Sequence, residues 1–238
     1  VPKRRYRRYR RRGSLQLLLR LPFLVNPPAT ALLELRDVTC ERGGRALFRH
    51  LQLQLGAGQL LRVRGVNGAG KTSLLRLVCG LLPAAEGQVL WRGERIADLG
   101  GQWGRELVYL GHAAALKDDL TAPENLQTAC LLGGLVVTSA QARAALTQSG
   151  LPGRWRVPAR QLSQGQRRRV ALARLLLCRD VPLWVLDEPF NALDTAATDW
   201  LCSVIATHLD TGGVVVLTSH QDVALDTLAD RLVHLELG

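Results

Sequence analysis

The sequence predicts an α/β fold in which a parallel core sheet is preceded by antiparallel strands and interrupted by a helical insert. Two observations carry that prediction. Gly65-Val66-Asn67-Gly68-Ala69-Gly70-Lys71-Thr72-Ser73 satisfies G-x-x-x-x-G-K-[ST] between an apolar strand-like run (Leu60, Leu61, Val63) and a helix-like one (Leu74 to Leu81). Strand-like runs return at Leu183 to Leu186, Val214 to Thr218 and Leu232 to Leu235, after a stretch from about 113 to 180 where only helical patterns occur.

Taken in order, residues 1–30 form a basic extension. An arginine-tyrosine run over 1–12 is followed by an apolar stretch from Leu15 to Val25, broken by Arg20 and Pro22, and then by Asn26-Pro27-Pro28-Ala29-Thr30-Ala31. Three readings stay open: translated upstream sequence outside the functional protein, a disordered basic arm touching anionic lipid or RNA, and a targeting segment. The chain contains no Met, even at position 1, so a functional start downstream, for instance at Val25, is expected. Residues 31–238 then read as one folded domain. Leu32 to Val38, Leu51 to Leu55 and Leu60 to Arg64 are short strands separated by Gly43-Gly44 and Gly56-Ala57-Gly58 turns, an antiparallel prelude that Val89 to Trp91 continues. Leu107 to Leu110 is a strand ending at Gly111-His112. Pro123 to Leu132, Gln141 to Gln148 and Gln164 to Cys178 are helices of the insert, and Thr195 to Leu209 is a helix between two of the returning strands.

The net charge of +11 suggests nucleic acid or an anionic membrane surface as partner, but its distribution argues against that. Nine of the 31 Lys and Arg lie in residues 1–20, leaving 22 basic against 20 acidic residues in the remainder. The five cysteines are far apart, with no C-x-x-C pair and no clustered histidines, which indicates neither a disulfide framework nor a zinc site and favours buried thiols in a reducing compartment. No apolar run approaches the ~18 residues that span a bilayer, so any membrane crossing is expected from another chain.

Three local patterns carry chemistry. In the glycine-rich loop, successive backbone N–H groups can curl around a polyphosphate, Lys71 can reach its terminal phosphates and the Thr72 hydroxyl can hold a magnesium ion, with the following helix N-terminus adding partial positive charge. Leu183-Trp184-Val185-Leu186-Asp187-Glu188 is an apolar strand ending in two carboxylates, either solvated acids or a magnesium-holding acid and a water-polarising glutamate. Leu162-Ser163-Gln164-Gly165-Gln166 opens a helix, either as a plain N-cap or as an anion site made of a hydroxyl, backbone N–H groups and a dipole. Most of Arg167, Arg168 and Arg169, which follow it, are expected on a solvated helix face.

These patterns, with Asn191-Ala192-Leu193-Asp194 and His220, stand in the order and spacing of ABC-type ATPase domains. They resemble the Walker A, signature, Walker B, D-loop and H-loop elements, over residues 32 to about 237. Two positions depart from the general family: His112 stands where a glutamine is expected, and Arg42 where an aromatic usually stacks on adenine. An imidazole can still bond water or the metal shell, and a guanidinium plane can stack on a purine. Leu90-Trp91-Arg92-Gly93, the segment from Leu110-Gly111-His112 to Leu120-Thr121-Ala122-Pro123-Glu124-Asn125-Leu126, Gln164 to Arg174, and Thr218-Ser219-His220-Gln221 are similar to the narrower family of ATP-binding subunits of the bacterial cytochrome c maturation haem exporter (CcmA type).

The resemblance implies a P-loop ABC ATPase with an antiparallel β subdomain and a helical subdomain, binding ATP and Mg²⁺. Gly65, Asn67, Gly68, Ala69, Gly70, Lys71, Thr72 and Ser73 would hold the phosphates, with Arg42 and His112 at the cleft. Thr72 and Asp187 would hold the metal, Glu188 would be the general base, and His220 would orient the water and sense the γ-phosphate. Ser163, Gly165 and Gln166 would act on ATP held by a second copy. The implied partners are that second copy and integral membrane transporter subunits, with no nucleic acid, at the cytoplasmic face of the inner membrane as a peripheral subunit. By resemblance the cargo system is haem delivery to a periplasmic haem chaperone for c-type cytochromes. The alternatives are an ATPase subunit for another cargo and a soluble nucleic-acid-associated ABC ATPase.

Overall fold

Strands β1 (Ala31–Arg42) and β2 (Arg45–Gly56) pair antiparallel across the Gly43-Gly44 turn, and β1 also pairs antiparallel with β4 (Glu86–Trp91), which pairs with the two-residue β5 (Glu94–Arg95). The result is a four-stranded sheet in the order β2-β1-β4-β5. This computed structural model describes residues 31–153, 155–219 and 226–238; the basic extension 1–30 and His220 with Gln221 lie outside the described residues.

The second sheet is parallel. Its strands are β3 (Leu60–Gly65), β6 (Leu107–Leu110), β7 (Leu183–Leu186), β8 (Val214–Thr218) and β9 (Leu232–Leu237), in the order β6-β7-β8-β3-β9. Residues 60–65 therefore leave the antiparallel prelude in which the sequence pattern groups them and lie between β8 and β9. The cause is burial on both faces. Leu61 and Val63 point to one core, shared with Leu183, Val185, Val214 and Val216, whereas Leu60 points to the other, shared with Trp184, Leu186, Val215 and Leu217. Strands covered on both sides read as continuous apolar runs, which carry no mark of their sheet.

One face of this sheet is covered by α1 (Lys71–Val78) and the antiparallel sheet, the other by α5 (Gln164–Leu177) and α6 (Thr195–Asp210). The short α2 (Trp103–Glu106), which the sequence pattern does not reveal, packs Trp103 against Trp91 with ring centroids 5.8 Å apart. Helices α3 (Ala122–Leu132) and α4 (Ser139–Gln148) pack on α5. Each of α3, α4 and α5 starts on a reciprocal capping box: Thr121 with Glu124, Thr138 with Gln141, Ser163 with Gln166. Cys40, Cys79, Cys130 and Cys178 are buried thiols and Cys202 is half-buried; burial pushes Cys79 up to about 12.

Because β3, β8 and β7 are neighbours and parallel, their carboxyl ends bring residues 65–73, Thr218 and Asp187-Glu188 to one edge of the sheet.

Candidate functional site

The loop from Gly65 to Gly70 joins β3 to α1. A Cβ at Gly65 would lie 2.1 Å from the Leu237 carbonyl oxygen, so the chain can turn there only without a side chain. Gly70 caps α1 with φ 103, a left-handed conformation that glycine adopts at little cost. Helix α1 consequently begins at Lys71, earlier than the apolar pattern suggests, and ends at Val78 rather than Leu81. Lys71 is 9 % exposed, and its Nζ donates to the carbonyls of Gly65 at 2.8 Å and Val66 at 3.2 Å, so the ammonium is drawn across the mouth of its own loop.

Across from the loop, the Thr72 hydroxyl donates to Asp187 Oδ2 at 3.1 Å, and the Thr218 hydroxyl donates to Asp187 Oδ1 at 2.8 Å. Thr218 Oγ1 also accepts from the Glu188 backbone N–H at 2.8 Å, so one buried hydroxyl at the end of β8 orients both acids at the end of β7. Glu188 has φ 49, a left-handed backbone in a non-glycine residue, which costs about 1–3 kcal/mol and is kept only where surrounding structure enforces it. The Asp187 N–H donates to the Leu110 carbonyl at 2.8 Å, fixing β7 to the strand that ends at Gly111-His112.

Lys71, Thr72, Asp187 and Glu188 line a cleft of about 450 Å³ together with Arg42, Leu47, Asn67, Gly68, Gly70, Ser73, His112 and Asn191, and Thr218 lies buried behind it. The cleft brings together the predicted residues from four separate segments, and Arg42 and His112 both stand exposed at it. Gly65 and Ala69 shape the loop from outside the lining. His220 lies outside the described residues. The oxygens of Thr72 and Asp187, 3.1 Å apart, match the edge of an oxygen octahedron around a small hard cation, about 2.9 Å for metal–oxygen distances of 2.0–2.1 Å. A hydroxyl and a carboxylate at that spacing fit Mg²⁺.

Ser163, Gly165 and Gln166 are not among the residues lining this cleft. Ser163 Oγ accepts from the Gln166 N–H at 3.2 Å, and Gln166 Oε1 accepts from the Ser163 N–H at 3.0 Å. Gly165 lies against the loop after β7: a Cβ there would meet the Ala192 carbonyl oxygen at 2.8 Å. Ser163 itself is exposed at the first turn of α5.

The expectation that most of the three following arginines form a solvated face is overturned. Arg167 pairs with Asp118 at 2.7 Å, Arg169 pairs with Asp194, and Arg168 is 5 % exposed beneath the cleft. Asp194 caps α6, and its carboxyl is held below the usual carboxylate range first by the Ala197 backbone N–H and then by Arg169. Successive helical residues point about 100° apart, so three consecutive arginines cannot share one face. That geometry was the available signal for Arg168; Thr218 carried none beyond its place at a strand end.

The profile of the family described as ABC transporter matches residues 48–191. A relative from Nitrosospira multiformis named "Cytochrome c biogenesis ATP-binding export protein CcmA" is 50% identical over 199 residues, 84% of this chain and 96% of that one. Among solved structures, the ATP-binding subunit of an ABC transporter superposes with a TM-score of 0.74 at 24% identity, covering 87% of this chain and 88% of that chain. A dimeric ATP-binding cassette in a post-hydrolysis state, bound to ADP and Pi, superposes with a TM-score of 0.72 at 22% identity, over 87% and 96%. At these identities the two structures establish the fold.

Proposed function

The chain belongs to the ABC transporter family, within the branch of cytochrome c biogenesis ATP-binding export proteins, and from that premise we propose that it binds and hydrolyses ATP to drive haem export and delivery for c-type cytochromes. The observation that carries the ATPase reading is the meeting of Lys71, Thr72, Asp187 and Glu188 at one cleft. Haem as the cargo rests on the family resemblance alone; the relatives' names give cytochrome c biogenesis and export.

In this reading the backbone from Gly68 to Gly70 and the Lys71 ammonium hold the β- and γ-phosphates. Lys71 exchanges its contacts with the Gly65 and Val66 carbonyls for phosphate oxygens, a better-matched charge. Arg42 lies at the mouth, where its guanidinium plane suits stacking on a purine. Thr72 and Asp187 hold Mg²⁺, which when bound neutralises phosphate charge. Glu188 takes the proton of the attacking water, and His220 orients that water. His112 borders the same cleft from the end of β6, near the surface where a membrane partner docks.

Ser163 and Gly165 complete the site of a second copy. Their position outside the cleft of their own chain supports this, as does the exposure of Ser163 at the first turn of α5. No helix among the described residues is long and apolar enough to cross a membrane. The proposed assembly is a pair of these chains on integral membrane subunits, at the cytoplasmic face of the inner membrane.

The test combines chemistry and cargo. Lys71→Ala should lower ATP affinity and turnover at least tenfold, since a charge-assisted phosphate contact is worth about 1.5–3 kcal/mol, and cells carrying it should lose covalent haem from c-type cytochromes while the membrane subunits still co-purify. Normal cytochrome maturation in a variant without ATPase activity would refute the cargo assignment and leave the ATPase reading standing.

A further inference from the structure

A cationic side chain on the signature helix is built into the underside of the catalytic turn. Arg168 lies in the second turn of α5, five positions after Ser163. Its Nη2 donates to the carbonyls of Asp187 at 2.8 Å and Glu188 at 2.7 Å, its Nη1 to those of Gly111 at 2.9 Å and His112 at 3.3 Å, and its Nε to that of Pro189 at 3.3 Å. A guanidinium has five N–H donors in a fixed fork, and here five backbone carbonyls accept from it. Two of the acceptors belong to the loop that presents His112 and three to the turn that presents the two acids.

We propose that Arg168 is a positioning residue that fixes Glu188 of its own chain from the signature helix. Three observations converge on this. Glu188 sits in a left-handed backbone conformation, φ 49, that its own preferences oppose. Its peptide is gripped on both sides: Thr218 accepts from the N–H, and Arg168 donates to the carbonyl. The third is the expense of the arrangement. A guanidinium only 5 % exposed is costly to bury unless its donors are satisfied, and here five carbonyls accept from it, so the placement is not that of a surface arginine folded in for convenience. A lysine could not replace it, having three donors and a single charged point. The proposal rests on the reading of Glu188 as general base and of the signature turn as acting in trans.

The experiment uses full-length chains assembled with their membrane subunits and ATP as the probe. Arg168→Met should lower kcat by about 10- to 100-fold while the KM for ATP and ATP binding change less than about threefold, the signature of an interaction used in the transition state. Arg168→Lys should recover part of the rate. Mixing Arg168→Met chains with Lys71→Ala chains decides where the arginine acts. The one intact P-loop in the mixed pair then sits with a Glu188 that lacks its Arg168, facing a normal signature turn, so no activity should return. Recovery to about a quarter of wild type, as expected if one composite site is rebuilt in half of the pairs, would overturn the proposal by showing that Arg168 serves only the turn presented to the other copy. A loss of ATP affinity in step with kcat, with no rescue by lysine, would also overturn it in favour of a general structural role. Glu188→Gln run alongside separates the two failures: near-normal turnover there refutes the catalytic reading whatever Arg168 does.

Discussion

The two segments proposed to recognise phosphate differ in how finished they are. The loop from Gly65 to Ser73 opens into a cleft whose far wall, Asp187 and Glu188, the same chain supplies. The turn at Ser163 has the same raw materials, a hydroxyl and the N-terminus of a helix, but lines no such wall, and its hydroxyl and Gln166 side chain satisfy each other's backbone partners. Both are helix starts, where the first N–H groups find no carbonyl partner within the helix. Only one has the surroundings to hold a nucleotide alone. On the proposed reading, the difference is that the turn meets a phosphate brought by a second copy.

The sharpest way to probe the finished half is Glu188→Gln. It should lower hydrolysis by about 10²-fold or more, the scale of a lost general base, while equilibrium ATP binding persists; turnover close to wild type would remove Glu188 from the chemistry. The contrast between the halves is tested next by mixing Lys71→Ala with Gly165→Asp chains. Each alone should be nearly inactive, the second because a side chain there collides with the Ala192 carbonyl and blocks the turn. Together they should regain about a quarter of wild-type ATPase, since half the pairs hold one intact composite site; no regain would mean that the turn serves its own chain. The smallest effect belongs to Thr218→Val. It removes the hydroxyl shared by Asp187 and the Glu188 N–H and should cost about 1–3 kcal/mol of stability for the buried groups left without a partner, with a severalfold lower kcat, read by urea unfolding and steady-state rates.

What could be read in the sequence was whatever is local. The loop, the two acids and the turn are contiguous runs whose function is set by backbone geometry over a few residues, so spacing alone places them. The starts of α3, α4 and α5 also carry a local signal, since Thr121, Thr138 and Ser163 each stand three residues before a Glu or Gln, but the helical pattern placed only α5 correctly and set α3 at Pro123 and α4 at Gln141, one and two residues late. What failed was whatever depends on the far side of a contact. Residues 60–65 carry no sign that they pair with 214–218 and 232–237 rather than with the strands before them. Arg168 looks like its two neighbours until the helix is docked, when Arg167 turns to Asp118, Arg169 to Asp194, and Arg168 to the carbonyls beneath the acids. The two-residue β5 and four-residue α2 are too short for any periodicity to mark them.

The pairing of β3 also sets an order of events while the chain is being made. The strand that carries the glycine-rich loop finds both of its sheet neighbours among residues 214–218 and 232–237, and Gly65 rests against the Leu237 carbonyl. A growing chain that has already produced the loop, the helical insert and both acids therefore still lacks the two strands that hold the loop in place. Contacts so distant along the chain form late. On the proposed reading, a chain stopped before residue 214 would carry the glycine-rich loop without either strand that flanks it in the sheet.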